Sequence, residues 1–272
     1  MPRSIKPISP RGPWPRACRR RVMTTPSSRP SNSTKVPTSS SIKVDSPIPS
    51  AERPSLLWPS LALVAVVVFF GVPGLGGESV DLWFQGLFWD GKAWLIPHDS
   101  RWGNWLAYDG PKALIILFAV ATLVRALRAT FTGRVSRLFW FTLLCLATVS
   151  IVATQLRAVS QMATPLALKL YGGTWEHLLL FEAKPNGYPS NAFPAGHASG
   201  GFALLGLYWC WPRAHRVWGL WLGLGLGFWM GLYQIARGEH FLSHTLATAA
   251  LAWLVCVGLV HWLRPQPDGP TA

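Results

Sequence analysis

Six apolar runs divide this sequence and restrict what it can fold into: residues 56–72, 113–127, 138–156, 198–211, 217–236 and 245–263. A bilayer core about 30 Å thick takes about 20 helical residues. The first, third, fifth and sixth runs meet that length as they stand. The second extends through Pro111 and Lys112 at one end and a snorkelling Arg125 at the other. The fourth extends by starting in the small-residue stretch 196–201, if protein rather than lipid shields that end. The reading is an all-α, polytopic membrane protein of six transmembrane helices. Charged residues make up 13% of the chain, about half the share in soluble domains, which fits that class.

Charge sets the orientation. The formal net charge is +14, and the basic residues are not spread evenly. Many precede the first run, from Arg3 to Arg53, and others follow alternate runs at Arg125, Arg128, Arg134, Arg213, Arg216 and Arg264. The intervening segment 74–112 instead carries Glu78, Asp81, Asp90, Asp99 and Asp109. By the positive-inside rule both termini are cytoplasmic, in a cell (inner) membrane. No DNA- or RNA-binding motif accompanies the positive charge, so nucleic acid is not an expected partner. Cys18, Cys145, Cys210 and Cys256 form no Cys-x-x-Cys pair and indicate neither a metal cage nor a disulfide framework.

Residues 1–54 are rich in Ser, Pro, Thr and Arg and are expected to be a disordered basic tail. Residues 55–264 form the six-helix domain, and 265–272 a short cytoplasmic tail. Between helices one and two lies an aromatic-rich segment with Trp83, Phe84, Phe88, Trp89, Trp94, Trp102, Trp105 and Tyr108. It is expected to lie along the outer membrane surface as one or two interfacial helices, where it could shape a lipid entrance.

On this topology three polar pieces meet at the outer face. Arg157 ends the third run and is followed by Thr164-Pro165. Pro194-Ala195-Gly196-His197 leads into the fourth run. Gln234, Arg237, Glu239, His240 and His244 lie between the fifth and sixth. Ionisable groups at membrane depth are costly and tend to be functional. A helix beginning at Ala195-Gly196-His197 offers free amides to an anion, and Arg157 and Arg237 offer guanidinium forks to phosphate. Two histidines beside a bound phosphate divide the work between nucleophile and general acid. His240 and His244 are four apart and would share a helical face. The residues alone leave two other readings open. One is a non-enzymatic transport or assembly protein. The other is a metal-dependent hydrolase with zinc on His197, His240 and His244, although the His-Glu-x-x-His order of zinc proteases is missing.

The three pieces resemble the type 2 phosphatidic acid phosphatase superfamily, which also includes the vanadium haloperoxidases. That family carries Lys, six residues, Arg-Pro; then Pro-Ser-Gly-His; then Ser-Arg, five residues, His, three residues, Asp. The run at 238–243, Gly-x-His-Phe-x-Ser, also looks like bacterial members. The resemblance implies a metal-independent lipid phosphate phosphatase that needs no cofactor and acts at the outer leaflet. Hydrolysis would pass through a phosphohistidine, with possible phosphotransfer. His240 would be the nucleophile and His197 the general acid. Arg157 would stand for the first-motif Lys, and the backbone of Ala195 and Gly196 would hold phosphate oxygens. Besides Arg157 for Lys, departures from the pattern include Thr164 for Arg, Ala195 for Ser, Gln234 for Arg and His244 for the orienting Asp. On a continuous helix, Arg237 would supply the missing guanidinium from nearly the face of Gln234. Glu239 is the nearest acid to the histidines. The partners implied are a lipid phosphate substrate and membrane lipids. Neither the particular lipid nor the oligomeric state is legible.

Overall fold

Every apolar run is helical in the computed structural model, which describes residues 54–133 and 136–263. The helices are α1 (Leu57–Gly71), α2 (Gly77–Gly86), α3 (Arg101–Asn104), α4 (Gly110–Phe131), α5 (Arg137–Val159), α6 (Gly196–Ala203), α7 (Leu207–Cys210), α8 (Arg216–Ala236) and α9 (Leu242–Leu263). Among the described residues there is no β-strand. A π-helical turn at Trp105–Asp109 joins α3 to α4. The resulting stretch Arg101–Phe131, together with Arg137–Val159 and Leu242–Leu263, is long and apolar enough to cross a membrane; Leu57–Gly71 is apolar but shorter. The second run is thus much longer as a helix than as an apolar stretch, because the chain stays helical through its polar approach. The expectations for residues 1–53 and 264–272 lie outside the described residues.

The fourth run begins at Gly196, within the expected small-residue stretch, and a 3-10 turn at Leu204–Gly206 breaks it into α6 and α7. This broken helix is the centre of the bundle. Phe141, Cys145 and Val149 of α5, Phe202 of α6, and Ala252 and Cys256 of α9 bury one another around it. Glycine lets α8 approach: a Cβ at Gly201 would stand 2.6 Å from the backbone nitrogen of Gly227, and one at Gly223 2.6 Å from that of Leu205. Small residues at such crossings let backbones touch where lipid supplies little hydrophobic drive. The outward faces invert the pattern of a soluble protein. Leu61, Val64, Leu114, Leu117, Trp218 and Trp221 are all exposed, a far larger apolar surface than a water-soluble monomer carries.

A second core sits at one end of the bundle. Leu168, Tyr171, Tyr188 and Phe241 are buried there, with Leu82, Trp89 and Trp94 packed against them. The aromatic segment therefore divides. Trp83, Trp102 and Trp105 are exposed, whereas Trp89 and Trp94 stack with Tyr171 at ring-centroid distances of 6.0 and 5.2 Å.

Candidate active site

The C-terminal ends of α5 and α8 and the starts of α6 and α9 come to that same end, bringing the three polar pieces together. The loop before α6 is stitched to the end of α5. Arg157 Nε donates to the Asn191 carbonyl, Ser160 Oγ to the Phe193 carbonyl, and Ala192 N to the Met162 carbonyl at 3.2 Å. Ala195 N then donates to the His244 carbonyl at 3.2 Å, tying α6 to α9. The Thr248 hydroxyl reinforces the junction, 3.2 Å from the Ala195 carbonyl and 2.8 Å from that of His244.

These ties present His197 in the first turn of α6. Its Nδ1 lies 2.9 Å from His240 Nε2, a direct hydrogen bond. His240 is 1% exposed; His197 is half-buried and lines a cavity of about 350 Å³ with Arg157, Gly196, Tyr108 and Lys112. Among the described residues no carboxylate lines that cavity. Burial holds the His240 imidazole well below its ordinary pKa, with His244, His197 and Arg157 adding to the effect. The ring is therefore neutral, the form in which a histidine nitrogen carries a free lone pair.

The remaining expected residues fall into place unevenly. His244 is fully buried, its ring 5.7 Å from that of His240 and boxed by Phe193 and Phe241. There is no direct hydrogen bond between the two: His240 Nδ1 and both nitrogens of His244 lack a partner. They do not share a helical face either, because Gly238 turns the chain at φ +77° and α9 starts only at Leu242. Gln234 is buried with its Oε1 unpartnered, and Thr164 precedes a 3-10 turn, half-buried. The Ala195 amide is committed to the His244 carbonyl, so an anion at α6 meets the amides that follow it.

Arg237 does not continue the helix as expected. α8 ends at Ala236, and the Arg237 guanidinium binds Asn104 Oδ1 at 3.0 Å and the His98 carbonyl at 3.1 Å, over the Tyr233 ring. Glu239 pairs with His98 Nε2 at 3.2 Å rather than with either site histidine.

Sequence reasoning missed the residues that hold the His240 loop. Four of them come from the aromatic segment. Asp81 accepts from Ser243 N at 2.8 Å, Gln85 Nε2 donates to the Ile235 carbonyl at 2.9 Å, and Ile96 N donates to the Ala236 carbonyl at 3.3 Å. The Trp94 ring fills the space where a Cβ of Gly238 would stand. Burial raises the Asp81 carboxyl to about 6, against hydrogen bonds from Ser243 that lower it. The signal available in the sequence was one of five acids in the aromatic segment, with nothing to say which loop it faced.

All nine expected site residues lie within 138–268, the stretch matched by the family model of the PAP2 superfamily. The chain belongs to that superfamily. No curated protein and no solved structure matches it. PAP2 membership supports a phosphatase-type, hydrolytic activity, and the apolar helices fit a membrane protein.

Proposed function

We propose that this PAP2 protein is a membrane-bound lipid phosphate phosphatase working through a phosphohistidine. The observation that carries the reading is the hydrogen-bonded pair His197–His240 beside a cavity that holds Arg157 and no carboxylate. His240 Nε2 attacks phosphorus; the N–P bond forms as the P–O bond to the lipid breaks. The departing oxygen takes a proton from His197, which receives it from the phosphate monoanion as substrate binds. Neutral His197 then deprotonates water, whose oxygen attacks phosphorus. The N–P bond breaks and its electron pair returns to His240. A lipid alcohol in place of water would give phosphotransfer. Arg157, with the amides of Gly196 and His197, holds the phosphate oxygens.

The same reading places six crossings in a cell (inner) membrane, with both termini cytoplasmic and the site at the outer leaflet. The short α1 and the broken α6–α7 cross by packing against α9 and α8, which shield their ends. The aromatic segment borders the lipid's route to the cavity.

The test is phosphate release by purified protein from a panel of lipid monophosphates and diphosphates, with EDTA present. Release by the wild type, and none by His240→Ala, is the expected result. Activity surviving His240→Ala would overturn the nucleophile assignment, and loss of wild-type activity in EDTA would overturn metal independence. A cysteine placed at Asn186 should be labelled from outside the cell; labelling only from the cytoplasm would invert the topology.

A further inference from the structure

The cavity beside His197 contains a cation from outside the stretch that matches the superfamily. Lys112, near the start of α4, lines it together with Arg157 and His197. Its ammonium lies 5.3 Å from the centre of the Tyr108 ring, and that ring packs edge-on against His197 at 5.2 Å. Among the described residues, Lys112 has no salt bridge with a carboxylate. The nearest acid in sequence, Asp109, accepts from Asn104 Nδ2. The second guanidinium of the region, Arg237, is bound to Asn104 and His98. Thr164 and Gln234 carry no charge. A phosphate in the cavity therefore meets one guanidinium from the matched stretch, and the positive charge that could complement it comes from α4.

We propose that Lys112 is a phosphate-binding residue of this site, supplying from α4 the second cation that Thr164 and Gln234 do not. The assignment deepens the phosphatase reading and rests on it. Lys112 binds as a mobile point charge rather than a fork, so it acts on substrate capture more than on the chemical step. Its ammonium lies over the Tyr108 ring, which packs against His197 in the same cavity wall.

Two measurements test this. In lipid phosphate hydrolysis, Lys112→Ala should raise KM and the inhibition constant of inorganic phosphate about tenfold or more, as loss of a charge-assisted hydrogen bond does. kcat should change far less, and Lys112→Arg should restore most of the loss. Lys92→Ala, an exposed lysine elsewhere in the segment, is the control. Independently of activity, inorganic phosphate should protect Lys112 but not Lys92 from an amine-reactive reagent, read by peptide mass spectrometry. Absence of protection, or a KM unchanged within twofold in Lys112→Ala, would show that Lys112 is only an interfacial anchor. If the wild type hydrolyses no lipid phosphate, the phosphatase reading fails, and the protection experiment still decides whether Lys112 binds phosphate.

Discussion

His197 Nδ1 and His240 Nε2 are hydrogen-bonded to each other at 2.9 Å, with the first at the cavity wall and the second behind it. A phosphate attacked by His240 has to come between the two rings. In the proposed reaction, substrate binding breaks this hydrogen bond and replaces it with contacts to phosphate oxygens. The proposal then requires the two histidines to stand on opposite sides of phosphorus, one toward the forming bond and one toward the leaving oxygen.

That division gives a leaving-group test. Histidine-to-alanine substitution of a general acid typically costs about 10²–10⁴ in rate. His197→Ala should show that loss on an alkyl lipid phosphate, whose leaving alkoxide needs a proton. On an aryl phosphate with an acidic phenol the first step should be much less affected, and phosphoenzyme should accumulate because water activation is also lost. His240→Ala should be inactive on both. Burst kinetics with the aryl substrate separates the two variants, and equal losses of His197→Ala on both substrates in the first step would remove its role as acid.

The environment of His240, the proposed nucleophile, predicts a pH dependence. Burial, then His244, His197 and Arg157, lower the His240 pKa, so the attacking neutral form persists as the medium becomes acidic. The acid limb of kcat/KM should lie below pH 6.5, the ordinary value for histidine. By linkage, the stability this group contributes is present above pH 6.5 and is lost as pH falls. An acid limb above 6.5 in the pH–rate profile would mean that His240 is not held neutral by its surroundings.

Much of this was legible in the sequence, and the limits follow from what sequence patterns encode. Apolar runs mark helices because every lipid-exposed backbone group must be paired within its own segment. The start of α6 was readable because small residues precede His197. Helix ends were not. Arg237 and Gln234 are three apart and would share a face only if α8 continued, but the chain turns at Gly238, where Trp94 occupies the side-chain position. Lys112 was read only as an extension of the second run, because Arg157, which lines the same cavity, is far away in sequence. The inward half of the aromatic segment was hidden for the same reason: Trp89 and Trp94 carry the composition of a membrane belt, and only the fold shows them against Tyr171.

A close backbone approach between α6 and α8 gives a stability prediction. A methyl group at Gly201 would stand 2.6 Å from the backbone nitrogen of Gly227. Backbone cannot move aside as a side chain would, so α6 and α8 must separate. Gly201→Ala should cost about 1–3 kcal/mol, seen as a lower unfolding midpoint in detergent. Gly225→Ala, with open space around its Cβ position, should be neutral or slightly stabilising through helix propensity. Equal midpoints for the two variants would contradict the close crossing.

Asp81 provides a test of the clamp on the His240 loop. Its carboxylate receives Ser243 N at the start of α9, yet burial raises its pKa from 3.8 to about 6. A folded-state pKa above the unfolded one means that the folded protein binds more protons between those values. Its contribution to stability is therefore full below pH 3.8 and is lost as pH rises through about 6, over a range of at most about 3 kcal/mol. Asp81→Asn keeps an oxygen for Ser243 and abolishes the titration. The difference in stability between wild type and Asp81→Asn should change across pH 4–6 and level off above it, with the variant gaining relative to wild type as pH rises; subtraction removes the opposite slope of His240. Asp81→Ala leaves the Ser243 amide without its partner and should lower kcat as well, because the loop carrying His240 loses its anchor to α2. Thermal unfolding in detergent from pH 4 to 8, alongside phosphate release by both variants, makes the comparison. A pH-independent difference between wild type and Asp81→Asn would show that Asp81 does not titrate in that range. Full activity of Asp81→Ala would show that the Asp81–Ser243 contact does not position the site.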